Sequence, residues 1–364
     1  MIEHKNLGQN TQYHSVEQKP AKVMNGQAKV NKNRQIVILT VFAMLLVVLG
    51  HSDITEEFRG TWIVRWVYSF HMPLFFFISG FLFSLTMPTD KFRKAKFSTF
   101  IKKKCVRLLV PFLFINTIIF IVKSTLISDP SMMKNPVGLN FPDFLDSTLF
   151  HPLGFMWFLP TLFCIFLIAF PLTKIIKVNT NEGWISVALI GITMIAALGI
   201  YYYLPPIEFM QFSKCCYYLF YFLLGILYCD YKESVDHFIR KYWVFIGLIF
   251  LGLSVSLMLP EVLAALCGII FSVTFALILE DKCSDRLVEF SAMTYAIFLL
   301  SYFPQMLIRG PIAHKFPQIN EYILSTVSFI SGIIVPVAVC IIYFTIRNRS
   351  KSRLIKKSGV LIGL

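Results

Sequence analysis

Residues 45–83 read LLVVLGHSDITEEFRGTWIVRWVYSFHMPLFFFISGFLF, and this stretch decides the fold. Two long apolar runs, one containing His51 and the other His71, are joined by a short polar segment at 52–60. A helix needs about 20 apolar residues to cross a bilayer, so the pattern predicts two membrane helices joined by a hairpin. An ionisable imidazole is costly in hydrocarbon, which makes each histidine a candidate functional residue. Pro73 frees the carbonyl of Ser69 and predicts a kink beside His71.

The composition of the whole chain agrees with this interpretation. Of its 364 residues, 56% are hydrophobic and 15% are charged, whereas about a quarter of the residues in soluble domains are charged. We therefore expect an all-α, polytopic membrane helix bundle in contact with membrane lipid. The net charge of +14 is confined to short segments between apolar runs, so nucleic-acid binding is not expected. The eight cysteines form neither a metal-ligand spacing nor a disulfide framework, and no metal is expected.

Hydropathy predicts about ten membrane helices. Their approximate bounds are 36–52, 62–86, 107–127, 156–176, 184–204, 212–229, 242–259, 262–280, 290–308 and 323–346. Lysine and arginine are concentrated before the first helix, in alternate connections and after the last helix. Because basic segments of membrane proteins stay in the cytoplasm, we expect a multipass protein of the cytoplasmic (inner) membrane with both termini in the cytoplasm. The predicted organisation is a disordered cytoplasmic tail at 1–34, a membrane domain at 35–346 and a basic cytoplasmic tail at 347–364.

This orientation places His51 at the outer end of the first helix. His71 lies about ten residues into the second helix, or about 15 Å along its axis. We expect both imidazoles to face a chamber that opens outward. The outer loop at 128–155 is rich in proline and glycine, and it either covers that chamber as a lid or serves only as a connector.

Six segments together resemble the motifs of a known family. They are VVLGHS at 47–52, FHMPLFFFISGFLF at 70–83, KKKCVRLLVPF at 102–112, MWFLPTLF at 156–163, YFLLGILY at 221–228 and TYAIFLLS at 294–301. In order and spacing, over about residues 35–345, they resemble the acyltransferase-3 family of membrane O-acyltransferases. The resemblance implies ten core helices and transfer of an acetyl or related acyl group from cytoplasmic acyl-CoA to a hydroxyl of a cell-surface or exported glycan.

The two histidines are the candidate catalytic residues for this chemistry. An alcohol attacks a thioester only while a base removes its proton, and neutral His51 is suited to that role. His71, Ser79 or an arginine could stabilise the oxyanion of the tetrahedral intermediate. The alternatives are structural: His51 as a polar cap at the membrane interface, His71 as the partner of a freed backbone carbonyl, and Ser79 as a small residue in a helix contact.

Two further positions are candidate substrate-binding residues. Trp157 lies inside the MWFLP motif, although an interfacial belt position also accounts for it. Ser301 ends the ninth-helix motif, where many relatives have histidine. A second departure is Thr40, eleven residues before His51, where many relatives have arginine or lysine. Both departures leave room for an exporter.

Lys104 and Arg107 are the candidate residues for binding acetyl-CoA or another acyl-CoA. They are one helical turn apart, and the resemblance places a basic residue, two intervening residues and an arginine here. Positive-inside placement explains the same residues without a ligand. The leading function is thus a glycan O-acyltransferase, and the alternative is a non-enzymatic translocator of a polysaccharide or lipid-linked precursor. A proton-coupled carrier is disfavoured, because the apolar runs contain no acidic pairs.

Overall fold

A computed structural model describes residues 34–52, 60–125, 137–179, 183–256 and 258–364. Within these ranges the chain is helical and contains no strand. The ten long helices are α1 (Arg34–Gly50), α2 (Trp62–Thr86), α3 (Phe97–Thr125), α4 (Phe158–Asn179), α5 (Gly183–Tyr203), α6 (Phe212–Asp230), α7 (Trp243–Val255), α8 (Glu261–Leu279), α9 (Thr294–Lys315) and α10 (Glu321–Arg349). The tail predicted at 1–34 lies outside the described residues, apart from Arg34.

The prediction of an all-α polytopic membrane bundle is confirmed. Eight spans in the described part of the chain are long and apolar enough to cross a membrane. The other two predicted spans correspond to α1, with 17 residues, and α7, with 13 residues. A short helix, Lys232–Lys241, precedes α7 and meets it at 93°. Its basic residues and its apolar residues lie on different faces, which is typical of a helix at the membrane surface.

The second helix, α2, is the centre of the bundle. It packs against α1, α6 and α8, and it continues through Pro73 as one helix. Two glycines allow its close approach to α6: a Cβ atom at Gly80 would lie 1.8 Å from the carbonyl oxygen of Phe222, and one at Gly225 would lie 2.0 Å from that of Phe77. Gly80, next to Ser79, is therefore in a helix contact, and the role of Ser79 itself stays a prediction.

Two helices extend beyond their predicted bounds. The sequence predicts the third span from 107, whereas α3 begins at Phe97 and contains a π-helical turn at Cys105–Leu109. The basic residues in the first turns of α3 lower the local hydropathy, so hydropathy alone did not assign these turns to the helix. The ninth span is predicted to end at 308, but α9 continues to Lys315 through a second π-helical turn at Ile308–Ile312. Pro311 lies in that turn and has no amide hydrogen to donate.

The C-terminal segment, predicted as a basic tail, folds back onto the bundle. After α10 the chain forms a short helix, Arg353–Ser358, and a 3-10 turn, Gly359–Ile362. The hydroxyl of Tyr343 in α10 donates a hydrogen bond to the carbonyl of Ile355 at 3.1 Å. The turn contacts α3.

Candidate active site

The histidine pair, His51 and His71, lies at the C-terminal end of α1 and in the N-terminal half of α2. His51 is the first residue after α1 and is half-buried, while His71 is the tenth residue of α2 and is 2% exposed. Their ring centroids are 6.4 Å apart, with the ring planes nearly perpendicular. The structure thus brings together the two candidate catalytic residues. We call this end of the bundle the histidine end. The opposite end, where α1 begins at Arg34 and α2 ends at Thr86, is called the basic end.

The hydrogen bond made by His71 restricts what its ring can do. Nδ1 of His71 lies 2.8 Å from the carbonyl oxygen of Val67, one turn earlier in α2. A carbonyl only accepts, so Nδ1 carries the hydrogen, and Nε2 of the neutral ring is an acceptor. A neutral His71 therefore cannot donate from Nε2 to an oxyanion, and only the imidazolium could. The backbone partner is the carbonyl of Val67 rather than that of Ser69, which Pro73 frees.

Aromatic rings surround His51. The ring of Phe155 lies 4.9 Å from that of His51, centroid to centroid, and the ring of Tyr68 lies 6.2 Å from it. Tyr68 also packs edge-on against His71, at 5.1 Å. Phe155 is fully buried and belongs to the connection between α3 and α4, which the sequence identified as a lid or a connector. Residues 137–155 of that loop thus fold onto the bundle and reach His51, while Pro130 and Pro136 lie outside the described residues.

A buried amide in α3 anchors this connection. Asn116 is fully buried; its Nδ2 donates to the carbonyl of Ser147 at 2.9 Å, and its Oδ1 accepts from the amide of Leu153 at 3.1 Å. Ser147 belongs to a short helix, Phe141–Leu149, and Leu153 follows that helix. Both backbone groups are thereby satisfied away from water, and the chain is held where Phe155 reaches His51.

Positive charge is available at the histidine end. Lys123, near the end of α3, is 6% exposed and lies close enough to Arg309 of α9 for the two charges to repel each other. The guanidinium carbon of Arg309 lies 5.9 Å from the ring centroid of Tyr302, and that ring lies 5.5 Å from Phe155. Arg309 is thus linked to His51 through the rings of Tyr302 and Phe155, and a cationic side chain is one kind of group that stabilises a developing oxyanion.

The two candidate donor-binding residues lie in different surroundings. Nζ of Lys104 lies 3.7 Å from the ring centroid of Phe166 and 5.3 Å from that of Phe100, and the residue is half-buried. Arg107 is exposed, and its carbonyl accepts from the hydroxyl of Tyr295 at 2.9 Å. A π-helical turn, Cys105–Leu109, begins directly after Lys104 and includes Arg107, so the spacing of a regular α-helix does not apply between the two residues. An exposed arginine with a lysine set deeper still fits a phosphate-bearing ligand.

The three candidate substrate-binding residues each make contacts with neighbouring protein groups. Ser79 donates its hydroxyl to the carbonyl of Phe75 at 2.8 Å, on its own helix. The ring of Trp157 packs against Tyr218 at 5.3 Å, with Nζ of Lys214 4.6 Å from the ring centroid. Ser301 is fully buried, and its hydroxyl donates to the carbonyl of Phe298 at 3.2 Å. Their roles as substrate contacts stay predictions.

Sequence reasoning missed three residues of this site. Tyr68 precedes His71 by three residues on the same helix, so helical spacing alone could have found it. Phe155 and Gln305, which contacts the end of α1, have no such signal, because each reaches the site only through tertiary packing. In the described part of the chain, no group of three or more His, Cys, Asp or Glu residues is arranged to hold a metal ion.

Comparison with known protein families identifies this chain. The family model of the acyltransferase-3 family, described as an acyltransferase domain, matches residues 35–345. No curated protein and no solved structure is significantly similar to it. The matched region begins inside α1 and ends inside α10, and it includes both histidines.

Proposed function

The chain belongs to the acyltransferase-3 family and is a multipass membrane acyltransferase, and from this premise we propose that it O-acetylates a cell-surface or exported glycan. The donor is cytoplasmic acetyl-CoA or a related acyl-CoA, and the acceptor is a glycan hydroxyl. The observation that supports this proposal most strongly is the histidine pair, with ring centroids 6.4 Å apart at one end of the bundle.

In this proposal His51 is the general base. Its neutral imidazole takes the proton from the acceptor hydroxyl as the oxygen attacks the thioester carbonyl. The resulting tetrahedral intermediate collapses, the carbon–sulfur bond breaks, and the proton held by His51 passes to the departing CoA thiolate. The products are an O-acyl ester and free CoA, so protons and charge balance. His51 suits this role because its ring is half-buried and not desolvated to the extent of His71.

His71 has a supporting role. Its Nδ1 is held by the Val67 carbonyl, so Nε2 is presented as an acceptor at a fixed orientation. That nitrogen can accept a hydrogen bond from a second hydroxyl of the acceptor glycan, which leaves the proton of the attacking hydroxyl for His51. The oxyanion is then stabilised by the cations at this end, of which Arg309 is the first candidate because it lies beside Tyr302. Ser79, Trp157 and Ser301 are retained as proposed contacts to the acceptor.

The two substrates reach the site from opposite sides. Lysine and arginine are concentrated at the basic end, which we therefore assign to the cytoplasmic side of the inner membrane. Arg107 and Lys104 would bind the phosphates of CoA there, as the exposed guanidinium and the deeper amine allow. The pantetheine arm would enter the bundle, and the acceptor would enter at the histidine end.

The translocator reading is the alternative, and the family match favours the enzyme. Two positions support the alternative: Thr40 and Ser301 stand where many relatives have a basic residue and a histidine. A translocator has no requirement for acyl-CoA. That requirement separates the two functions.

The test uses purified protein reconstituted in liposomes with radiolabelled acetyl-CoA. The acceptor is surface polysaccharide isolated from cells that lack the protein. We expect label to appear in the polysaccharide as an ester that mild alkali releases. Absence of labelling, together with normal polysaccharide export that does not depend on acetyl-CoA, would support the translocator instead. Mass analysis of the polysaccharide from cells with and without the protein identifies the acyl group.

A further inference from the structure

The last turn of α1, which His51 directly follows, accepts hydrogen bonds from other helices. A helix leaves its final carbonyls without partners from a following turn. Here the amide of His51 bonds to the carbonyl of Val47, and the amide of Ser52 bonds to that of Leu49 instead of that of Val48. In the described part of the chain, the carbonyls of Val48 and Gly50 accept hydrogen bonds from side chains.

Side chains from α2 and α9 supply those donors. The hydroxyl of Tyr68 donates to the carbonyl of Gly50 at 3.0 Å. Nε2 of Gln305 donates to the carbonyl of Val48 at 2.7 Å, across 257 positions of sequence. Because a carbonyl only accepts, the nitrogen of the Gln305 amide must be the atom that faces Val48.

The surroundings of Gln305 are shaped around this contact. Gln305 is fully buried. Opposite it on α10 is Gly332, where a Cβ atom would lie 3.0 Å from Nε2 of Gln305 and 2.8 Å from Cγ1 of Val48. A larger residue at 332 would push these two groups, so the glycine leaves room for the amide between α9, α10 and the end of α1.

We propose that Gln305 is a positioning residue for His51, with Tyr68 as its counterpart on α2. By binding the Val48 carbonyl, Gln305 holds the turn from which the imidazole projects. This inference rests on the proposed role of His51 as the base. In a site where the reacting atoms must be held closely, a displacement of about 1 Å can cost about 100-fold in rate. The side chain of Gln305 is fully buried and its nitrogen is bound to the Val48 carbonyl, so its effect on catalysis is expected to pass through His51.

The test is Gln305→Met, which conserves the length and volume of the side chain but removes the donor. We expect kcat for acetyl transfer to fall about 10-fold to 100-fold with little change in KM for acetyl-CoA. Amide hydrogen exchange over residues 46–52 should become faster, because the end of α1 opens more often. The matched control is Ser325→Ala in α10; this buried hydroxyl has no hydrogen-bond partner among the described residues, and both readouts should stay at the wild-type level.

Two outcomes would overturn the proposal: an unchanged kcat in Gln305→Met, or a lowered kcat with unchanged exchange over residues 46–52. If Gln305→Met does not fold, Tyr68→Phe removes the other cap while keeping the ring, and the same two readouts apply. The proposed function fails separately. Wild-type transfer by His51→Ala would reject His51 as the base, whereas the exchange measurement would still report whether Gln305 holds the end of α1.

Discussion

Replacing Gly80 by alanine should push α2 and α6 apart. The new Cβ would lie 1.8 Å from the carbonyl oxygen of Phe222, whereas ordinary van der Waals contact begins at 3.4 Å. The difference between these distances requires a local separation of about 1.6 Å, because the obstructing atom is backbone and cannot rotate away. Overpacking of this kind costs about 1–3 kcal/mol. The helix that is displaced also carries His71, so transfer activity should fall with stability.

A matched control isolates the contact from helix propensity. Gly199 in α5 has open space where a Cβ would be placed, so Gly199→Ala adds the methyl group without a clash. Both substitutions gain the same preference of alanine for helices, about 1 kcal/mol. The stability difference between the two variants therefore measures the α2–α6 contact alone.

The assay is the fraction of monodisperse protein left after heating in detergent, over a series of temperatures. Gly80→Ala should lose its monodisperse form several degrees below Gly199→Ala, which should match or exceed the wild type. Equal thermal stability of the two variants would refute the packing of α2 against α6 described above.

Two more substitutions test the two ends of the bundle. Arg107→Met should raise KM for acetyl-CoA about 10-fold, the equivalent of about 1.4 kcal/mol, with kcat nearly unchanged. As the control, Lys103→Met replaces a nearby exposed lysine and should leave both constants unchanged. Equal effects of the two substitutions on KM would mean that the charge of this segment serves only membrane topology. Asn116→Leu leaves the amide of Leu153 unsatisfied and should lower stability by about 1–3 kcal/mol. Ser124→Ala, which removes a hydroxyl that donates to carbonyls of its own helix, should have little effect. Unchanged thermal stability of Asn116→Leu would contradict the anchoring role.

Hydropathy and motif order were sufficient to predict the fold class, a bundle of roughly ten helices and the family. Their limits were local: basic residues such as Lys104 concealed the start of α3, and Pro311 did not end α9 because a π-helical turn accommodates it. Apolar runs report how a segment partitions into the membrane, and this property does not say where a helix continues into the interface.

The site was predictable only in part. Both histidines were identified, because each is a polar residue inside an apolar run, and the structure places their rings close together. Phe155 and Gln305 were missed, since an aromatic ring in a loop and an amide in a helix have many possible partners until the helices are assembled. The same is true of Gly332, whose small size matters only because Gln305 packs against it.

The most direct test of the central claim is acetyl transfer by His51→Ala in the reconstituted system. The control is His237→Ala, which replaces an exposed histidine on the Lys232–Lys241 helix, away from the histidine pair. Loss of a general base predicts a fall in kcat of about 100-fold to 10,000-fold for His51→Ala and wild-type activity for His237→Ala. Transfer by folded His51→Ala within about twofold of the wild type would contradict the account.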